Sequence, residues 1–135
     1  MEITKVHFPT FSNPVGTLSF LEAEDHAPFP IRRIYYIYDV PADGRRGFHA
    51  HKNLQQVLIA IHGSCKILLD DGTEQCTVTL NSASEGLLIQ RPMWREMFDF
   101  SPGAVLMVLA SEHYSEADYI RDYDQFLTYM EENKA

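Results

Sequence analysis

The stretch GFHAHKNLQQVLIAIHG, residues 47–63, places two histidines two positions apart, shortly before a run of aliphatic residues. In a β-strand, alternate side chains share a face and lie roughly 7 Å apart. His49 and His51 are therefore expected to point the same way and, if that way is the interior, to line one cavity. The aliphatic residues that follow are typical of a buried strand.

Short β-rich runs with turn residues between them continue on both sides of this stretch. Asp and Gly in DDGT, 70–73, predict a hairpin turn, since one position there needs a positive φ. Many short strands at regular spacing predict an all-β sandwich or barrel, with the whole chain, 1–135, as one domain. The predicted strands are 16–23, 30–40, 48–51, 54–63, 65–69, 77–80, 86–90, 93–100 and 104–111.

The C-terminal segment, SEADYIRDYDQFLTYMEENK, follows a helical period instead. Ser115 with Asp118 three residues later is a variant of a helix capping box. The apolar positions predict one amphipathic helix that packs on the barrel or on a partner subunit, with its tyrosines in the core. These positions are Tyr119, Ile120, Tyr123, Phe126, Leu127 and Met130.

The formal charge of −8 argues against a partner that is a nucleic acid, because binding a phosphate backbone needs a broad basic face. No apolar window is long enough for a membrane span. The first residues lack the basic and apolar pattern of a secretory leader, so a cytoplasmic location is expected.

Positive charge is nevertheless concentrated between residues 32 and 52, where five basic residues accompany only Asp39 and Asp43. Such a cluster fits a pocket for a small anion such as a nucleotide diphosphate. A solvated basic edge is an equally good reading of composition. The five residues are Arg32, Arg33, Arg45, Arg46 and Lys52.

The histidine pair resembles the first metal-binding motif of cupins, in which a glutamate and a distant second histidine complete the site. Here Gln55 stands at the glutamate position and Met97 at the position of the second histidine. An amide and a thioether are poor replacements for carboxylate and imidazole around Fe, Mn or Zn. We therefore expect no metal and no other cofactor.

Without a metal, the pair suits acid/base chemistry. Imidazole has an unperturbed pKa of about 6.5 and exchanges protons near neutrality. The alternative is that both rings are polar strand residues with satisfied hydrogen bonds. Two imidazoles near Arg46 in an apolar cavity favour the functional reading.

Four segments of the chain resemble the bacterial sugar nucleotide 3,4-ketoisomerases, small cupin-fold enzymes that act on dTDP-4-keto-6-deoxyglucose. The resemblance implies a cupin jelly roll with a C-terminal helix, a homodimer, and movement of the ketone from C4 to C3 on the way to 3-amino-3,6-dideoxy sugars. The segments are RRIYYIYDV, RRGFHAHKNLQQVLIAIHGSCKILLDDG, GLLIQRPMWREMFDF and VLMVLASEHYSEADYIRDYDQF.

The segment RGFH also resembles the RGxH of the dTDP-sugar 3,5-epimerases, which assigns His49 as the base that acts on carbon. His51 then handles the oxygen protons or holds the enediolate, and Arg46 stabilises the developing oxyanion. Arg33 and Tyr35 share one face of strand 30–40, and we place both inside, with Tyr35 among the catalytic residues. The opposite choice stays open, because the aromatic face formed by Ile34, Tyr36 and Tyr38 also suits an ordinary core. The further predicted substrate contacts are Lys52, Trp94, Arg95, Glu96 and Asp99, and for Trp94 a place in the core is at least as good a reading.

Position 95 bears on the product. Arg95, in WREM, resembles the ketoisomerases that form the gluco product rather than the galacto product, whereas Val15 matches neither pattern well. The gluco product is favoured. Alternative functions are a dTDP-sugar 3,5-epimerase, a metal-dependent cupin, and a cupin that binds a nucleotide sugar without catalysis.

Overall fold

The structure is a computed structural model that describes residues 1–134. It contains twelve strands and one α-helix over that range. They are β1 (Thr4–His7), β2 (Thr10–Asn13), β3 (Gly16–Ser19), β4 (Arg33–Ile37), β5 (Arg46–His51), β6 (Gln56–His62), β7 (Cys65–Asp70), β8 (Gln75–Leu80), β9 (Glu85–Ile89), β10 (Trp94–Phe98), β11 (Val105–Ala110), β12 (Tyr119–Ile120) and α1 (Tyr123–Glu132).

Ten of the strands form two five-stranded antiparallel sheets, in the orders β1-β9-β6-β11-β4 and β12-β5-β10-β7-β8. Their inner faces enclose the main core, in which Leu58, Ile67, Leu87 and Leu106 are fully buried. From β4 onward the chain alternates between the two sheets except at the β7–β8 hairpin, which gives the cupin jelly roll that was predicted. Among the described residues, no helix has the length and the hydropathy that a membrane crossing requires.

The turn between β7 and β8 is the one predicted from DDGT. Gly72 has φ of 92°, and the Asp70 carboxylate accepts a hydrogen bond from the Gly72 amide at 2.7 Å. β7 and β8 then pair in regular antiparallel register from Cys65–Leu80 to Asp70–Gln75.

The predicted helix begins at Tyr123, well after the expected start. Residues 116–118 form a short 3-10 turn, and Tyr119 and Ile120 pair with His51 and Ala50 of β5 as β12. The helix cap is Asp122, whose carboxylate accepts a hydrogen bond from the Gln125 amide. The prediction of a helix start at Ser115 is therefore wrong, because sheet pairing outweighs the local capping pattern in this segment.

Strands β1 and β2 were not predicted, whereas β3 lies within the predicted strand 16–23. β1 extends the first sheet beside β9. β2 and β3 form a separate hairpin in which every residue is exposed, including Phe11 and Leu18.

Candidate active site

Strands β4 and β5 and the segment around β12 border an open cavity of about 380 Å³ at one end of the barrel. His49, Arg46 and Tyr35 all line it. Met97, which stands where metal-binding cupins have their second, distant histidine, lines it as well. Side chains from three separate strands, β4, β5 and β10, therefore meet in one place. The complete lining is Arg33, Tyr35, Tyr36, Ile37, Arg46, Gly47, His49, Met97, Tyr119 and Arg121.

A β-bulge explains how Arg46 and His49 reach the same cavity. Three residues apart in a regular strand, they would point to opposite faces. Arg95 pairs with His49 and Glu96 pairs with Gly47, so Phe48 is an extra residue in β5, and its φ is 57°. The inserted residue resets the alternation of faces.

The two histidine rings lie in contact. Their centroids are 4.9 Å apart with an angle of 81° between the planes, and the ring of Tyr119 lies 5.1 Å from His49 and 4.3 Å from His51. His51 is 2% exposed. The shared orientation expected from their spacing is therefore observed, with an aromatic ring packed against both.

His51 is held by a carboxylate. Its Nδ1 lies 3.0 Å from Oδ2 of Asp118, and the other carboxylate oxygen of Asp118 accepts the Asn53 backbone N–H at 2.7 Å. A carboxylate only accepts hydrogen bonds, so the Nδ1 of His51 carries the proton and Nε2 is left with its lone pair. Nε2 is buried and has no hydrogen-bond partner among residues 1–134.

Burial, together with a buried cation, keeps both histidines neutral. Arg95 is 1% exposed inside the barrel, and its own pKa falls only to about 10, so it is charged at neutral pH. Burial first, and the charge of Arg95 second, lower the pKa of His49 to about 4 and lower that of His51 further. Both imidazoles are therefore able to accept a proton at neutral pH.

His51 also lines a second cavity of about 420 Å³, which adjoins the first. Arg33 and Tyr119 belong to the walls of both. His49 and His51 therefore line two adjoining cavities whose walls share Arg33 and Tyr119.

The first cavity carries positive charge that lacks a counterion. Arg33 and Arg46 form no ion pair with any described residue. By contrast, Arg32 pairs with Glu112 and Arg45 pairs with Glu96. Of the two readings of the basic cluster, a pocket for an anion fits Arg33 and Arg46, and a solvated edge fits Arg32 and Arg45.

Of the six predicted substrate contacts, only Arg33 belongs to the walls of the two cavities; Lys52, Trp94, Arg95, Glu96 and Asp99 do not. Because side chains alternate along β10, Arg95 and Met97 point inward while Trp94 and Glu96 point outward. Trp94 packs on Phe126 of α1 and donates its indole N–H to Glu96. Asp99 pairs with Lys66 on the surface, and Lys52 extends over the ring of Tyr129.

The residue assigned to the cupin glutamate position also needs correction. Gln55 accepts a hydrogen bond from Gln90 outside the barrel, whereas its neighbour Gln56 is 1% exposed and contacts Arg95 and Tyr35. No group of three or more His, Cys, Asp or Glu side chains within residues 1–134 is arranged to hold a metal ion.

Several residues of this site were not predicted, namely Asp118, Tyr119, Arg121 and Gln56. Arg121 stacks on the Tyr119 ring at 4.1 Å and pairs with Glu116 at 2.6 Å, at the edge of the cavity. Asp118 and Tyr119 were assigned to a helix, and only their pairing with β5 brings them to the histidines. Only an interpretation of residues 119–120 as a strand would have placed Asp118 and Tyr119 beside the histidines.

Comparison with known proteins points the same way as this geometry. A family model described as "WxcM-like, C-terminal" (FdtA) matches residues 1–131. The chain is 45% identical over 130 residues to the TDP-4-oxo-6-deoxy-alpha-D-glucose-3,4-oxoisomerase of Aneurinibacillus thermoaerophilus, covering 96% of this chain and 94% of that protein.

Two solved structures are similar over nearly their whole length. QdtA, a sugar 3,4-ketoisomerase from Thermoanaerobacterium thermosaccharolyticum in complex with TDP, is 44% identical with a TM-score of 0.95, covering 98% of this chain and 97% of QdtA. A histidine-to-asparagine mutant of QdtA has been solved with TDP-4-keto-6-deoxyglucose. WlaRB, a TDP-quinovose 3,4-ketoisomerase from Campylobacter jejuni, is 47% identical with a TM-score of 0.89, covering 93% of this chain and 97% of WlaRB.

Proposed function

Because the chain belongs to the WxcM-like, C-terminal family, we propose that it is an isomerase that converts dTDP-4-keto-6-deoxyglucose into the 3-keto sugar nucleotide. The observation that carries the proposal is the pair of neutral histidines beside arginines that lack counterions. A keto sugar diphosphate needs both features, since the diphosphate is anionic and the keto shift moves protons between neighbouring carbons.

His49 is the base that acts on carbon. It takes the proton from C3, next to the C4 ketone, and the electron pair forms the C3–C4 double bond of an enediol. His49 then returns a proton to C4. Its lowered pKa keeps the ring neutral and ready to accept the first proton.

His51 serves the oxygen atoms. With Nδ1–H bonded to Asp118, its Nε2 lone pair is the acceptor for the proton of the O3 hydroxyl as C3 becomes the ketone. The positive charges of Arg46 and Arg95 stabilise the negative charge that develops on O4. Arg33 holds the diphosphate side of the substrate.

We favour the gluco product, dTDP-3-keto-6-deoxyglucose. Arg95 lies in the barrel interior and pairs with His49 across β5 and β10, which places it beside the residue proposed to protonate C4. The similarity to a TDP-quinovose 3,4-ketoisomerase supports the same configuration. The expected pathway leads to 3-amino-3,6-dideoxy sugars.

The protein is proposed to act as a homodimer. The outer face of β4 exposes Ile34, Tyr36 and Tyr38, and the β2–β3 hairpin exposes Phe11 and Leu18. Beside Ile34 lies an apolar hollow of about 250 Å³ that includes Phe20, Ile59 and Leu109. An apolar projection and an apolar hollow on one chain suit a symmetric pair of copies.

Incubation of the enzyme with dTDP-4-keto-6-deoxyglucose in D₂O tests the function. We expect proton NMR to show conversion to the 3-keto sugar with deuterium at C4 and gluco configuration there. His49→Asn should lower the rate by at least a hundredfold, whereas His7→Asn, a change at an exposed histidine, should leave it within twofold. Deuterium at C5 would indicate a 3,5-epimerase instead, and TDP binding without any exchange would indicate a non-catalytic cupin.

A further inference from the structure

A chain of buried hydrogen bonds crosses the barrel behind Tyr35. Arg95 of β10 donates through its NH1 group to Oε1 of Gln56 at the start of β6, and Nε2 of Gln56 lies 2.9 Å from the hydroxyl oxygen of Tyr35 on β4. Gln56 and Arg95 are each 1% exposed. This series of hydrogen bonds thus links the two sheets and ends on Tyr35, a residue of the cavity wall.

The direction of this chain is determined by chemistry. A guanidinium has only donors, so Gln56 must turn its carbonyl oxygen toward Arg95. Its NH₂ group then faces Tyr35, and the phenolic oxygen must accept there. The tyrosine's own proton is left for another partner, and no residue within 1–134 accepts it.

We propose that Gln56 is a positioning residue that, locked by Arg95, fixes Tyr35 as a hydrogen-bond donor toward the substrate ketone. This inference rests on the proposed 3,4-ketoisomerase function. It assigns the O4 proton, which neither histidine supplies.

The proton balance closes with this assignment. His49 removes the C3 proton, the C3–C4 double bond forms, and the C4 carbonyl electrons take the Tyr35 proton as the O4 hydroxyl forms. His51 then accepts the O3 proton as C3 becomes the ketone and C4 takes a proton from His49. One proton passes from His51 to the Tyr35 phenolate through solvent to reset the site. Burial raises the pKa of Tyr35, so the hydroxyl is protonated at rest.

Gln56→Glu reverses the polarity at almost constant shape. A carboxylate only accepts, so the Tyr35 hydroxyl would donate to it and turn its proton away from the substrate. We expect kcat to fall at least a hundredfold, to the level of Tyr35→Phe, with the Kd for TDP within threefold of wild type. The double variant should be no slower than Tyr35→Phe, because both changes remove the same function.

Gln56→Met is the matched comparison, since a thioether leaves the Tyr35 proton free although it changes the side chain more. We expect Gln56→Met to retain at least a tenth of the wild-type kcat and to be faster than Gln56→Glu. The proposal is overturned if Gln56→Glu keeps kcat within threefold, if its effect multiplies with that of Tyr35→Phe, or if Gln56→Met is the slower of the two.

Should Gln56→Glu not fold, a Gln56→Met enzyme no faster than Tyr35→Phe would overturn the proposal. Failure of the proposed function is distinguishable, because the wild-type enzyme would then not convert dTDP-4-keto-6-deoxyglucose at all.

Discussion

Asp118 uses its two carboxylate oxygens for two different donors, the Nδ1–H of His51 and the backbone N–H of Asn53. An asparagine in its place would offer only one acceptor oxygen. Because the Asn53 amide always donates, the new side chain would face it with that oxygen and present its NH₂ group to His51. His51 would then be forced into the tautomer that carries its proton on Nε2.

Asp118→Asn should therefore lower kcat by about a hundredfold or more, since the acceptor for the O3 proton is lost. Nitrogen NMR of the histidine rings should show the tautomer change directly, and TDP affinity should stay close to wild type. Asp122→Asn makes the same chemical change at the α1 cap, outside the site, and is expected to keep kcat within twofold. A wild-type rate in Asp118→Asn would contradict this role.

The pH dependence of stability is a second residue-scale prediction. The pKa of His49 is about 4 in the folded chain against about 6.5 when unfolded. Below pH 6.5, His49 is protonated in the unfolded chain but stays neutral in the folded chain until the pH nears 4. The free energy of unfolding therefore decreases as pH falls from 6.5 toward 4. Between pH 6.5 and 4.5 this contribution is about 2 kcal/mol.

Urea unfolding of wild type and His49→Asn at a series of pH values measures it. The wild-type free energy of unfolding should fall more steeply below pH 6.5 than that of the variant, with the difference between the two curves changing by about 2 kcal/mol. Parallel curves would show that His49 titrates alike in both states.

At the scale of elements, the bulge in β5 decides which side chains reach the cavity. A Cβ on Gly47 would lie 2.8 Å from the Arg95 carbonyl oxygen, and Gly47 has φ of 93°. Gly47→Ala should destabilise the fold by about 2 kcal/mol or more, since backbone strain and a backbone contact add. Gly103 also has positive φ, 75°, but meets nothing closer than 3.7 Å, so Gly103→Ala isolates the strain.

Thermal unfolding of the two glycine variants compares them. Gly47→Ala is expected to lower Tm more than Gly103→Ala and to lower kcat as well, because Arg46 and His49 lose their common direction. Equal decreases in Tm would mean that the backbone of β10 shifts to accommodate the added methyl group, and would contradict this prediction.

The elements that were predicted correctly follow their own local pattern. The alternation in β4 put Arg33 and Tyr35 on one face, although it did not decide which face is inside, and Asp and Gly in 70–73 marked the β7–β8 turn. The bulge was not predictable, since nothing local requires an extra residue at Phe48. The same holds for β12, where Tyr119 pairs with His51 only because the folded barrel brings β5 beside it.

Within the site, the types of residue were easier to predict than the face of the strand on which each side chain lies. The histidine pair, Arg33, Arg46, Tyr35 and Arg95 meet around one end of the barrel, because each belongs to a strand that lines it. Trp94 and Glu96 point outward because of which residues of β10 face the barrel interior. That choice depends on the register of β10 with β7. Charge alone misplaced Lys52, since a flexible lysine follows the nearest apolar surface.

At the scale of the whole molecule, exposed apolar surface predicts a dimer. Ile34 on the outer face of β4 and Phe11 on the hairpin are 57% and 63% exposed, and burial of both against a second copy would remove this surface from water. Sedimentation equilibrium should give twice the chain mass of 15.5 kDa. The double change Ile34→Glu with Phe11→Glu should shift the mass to that of one chain, because the buried carboxylates would lack partners.

Thr77→Glu with Thr79→Glu serves as the control for added charge. Both threonines are exposed on β8, away from the β4 face, so this variant is expected to remain dimeric. A wild-type mass of one chain at tens of micromolar protein would remove the basis for the dimer.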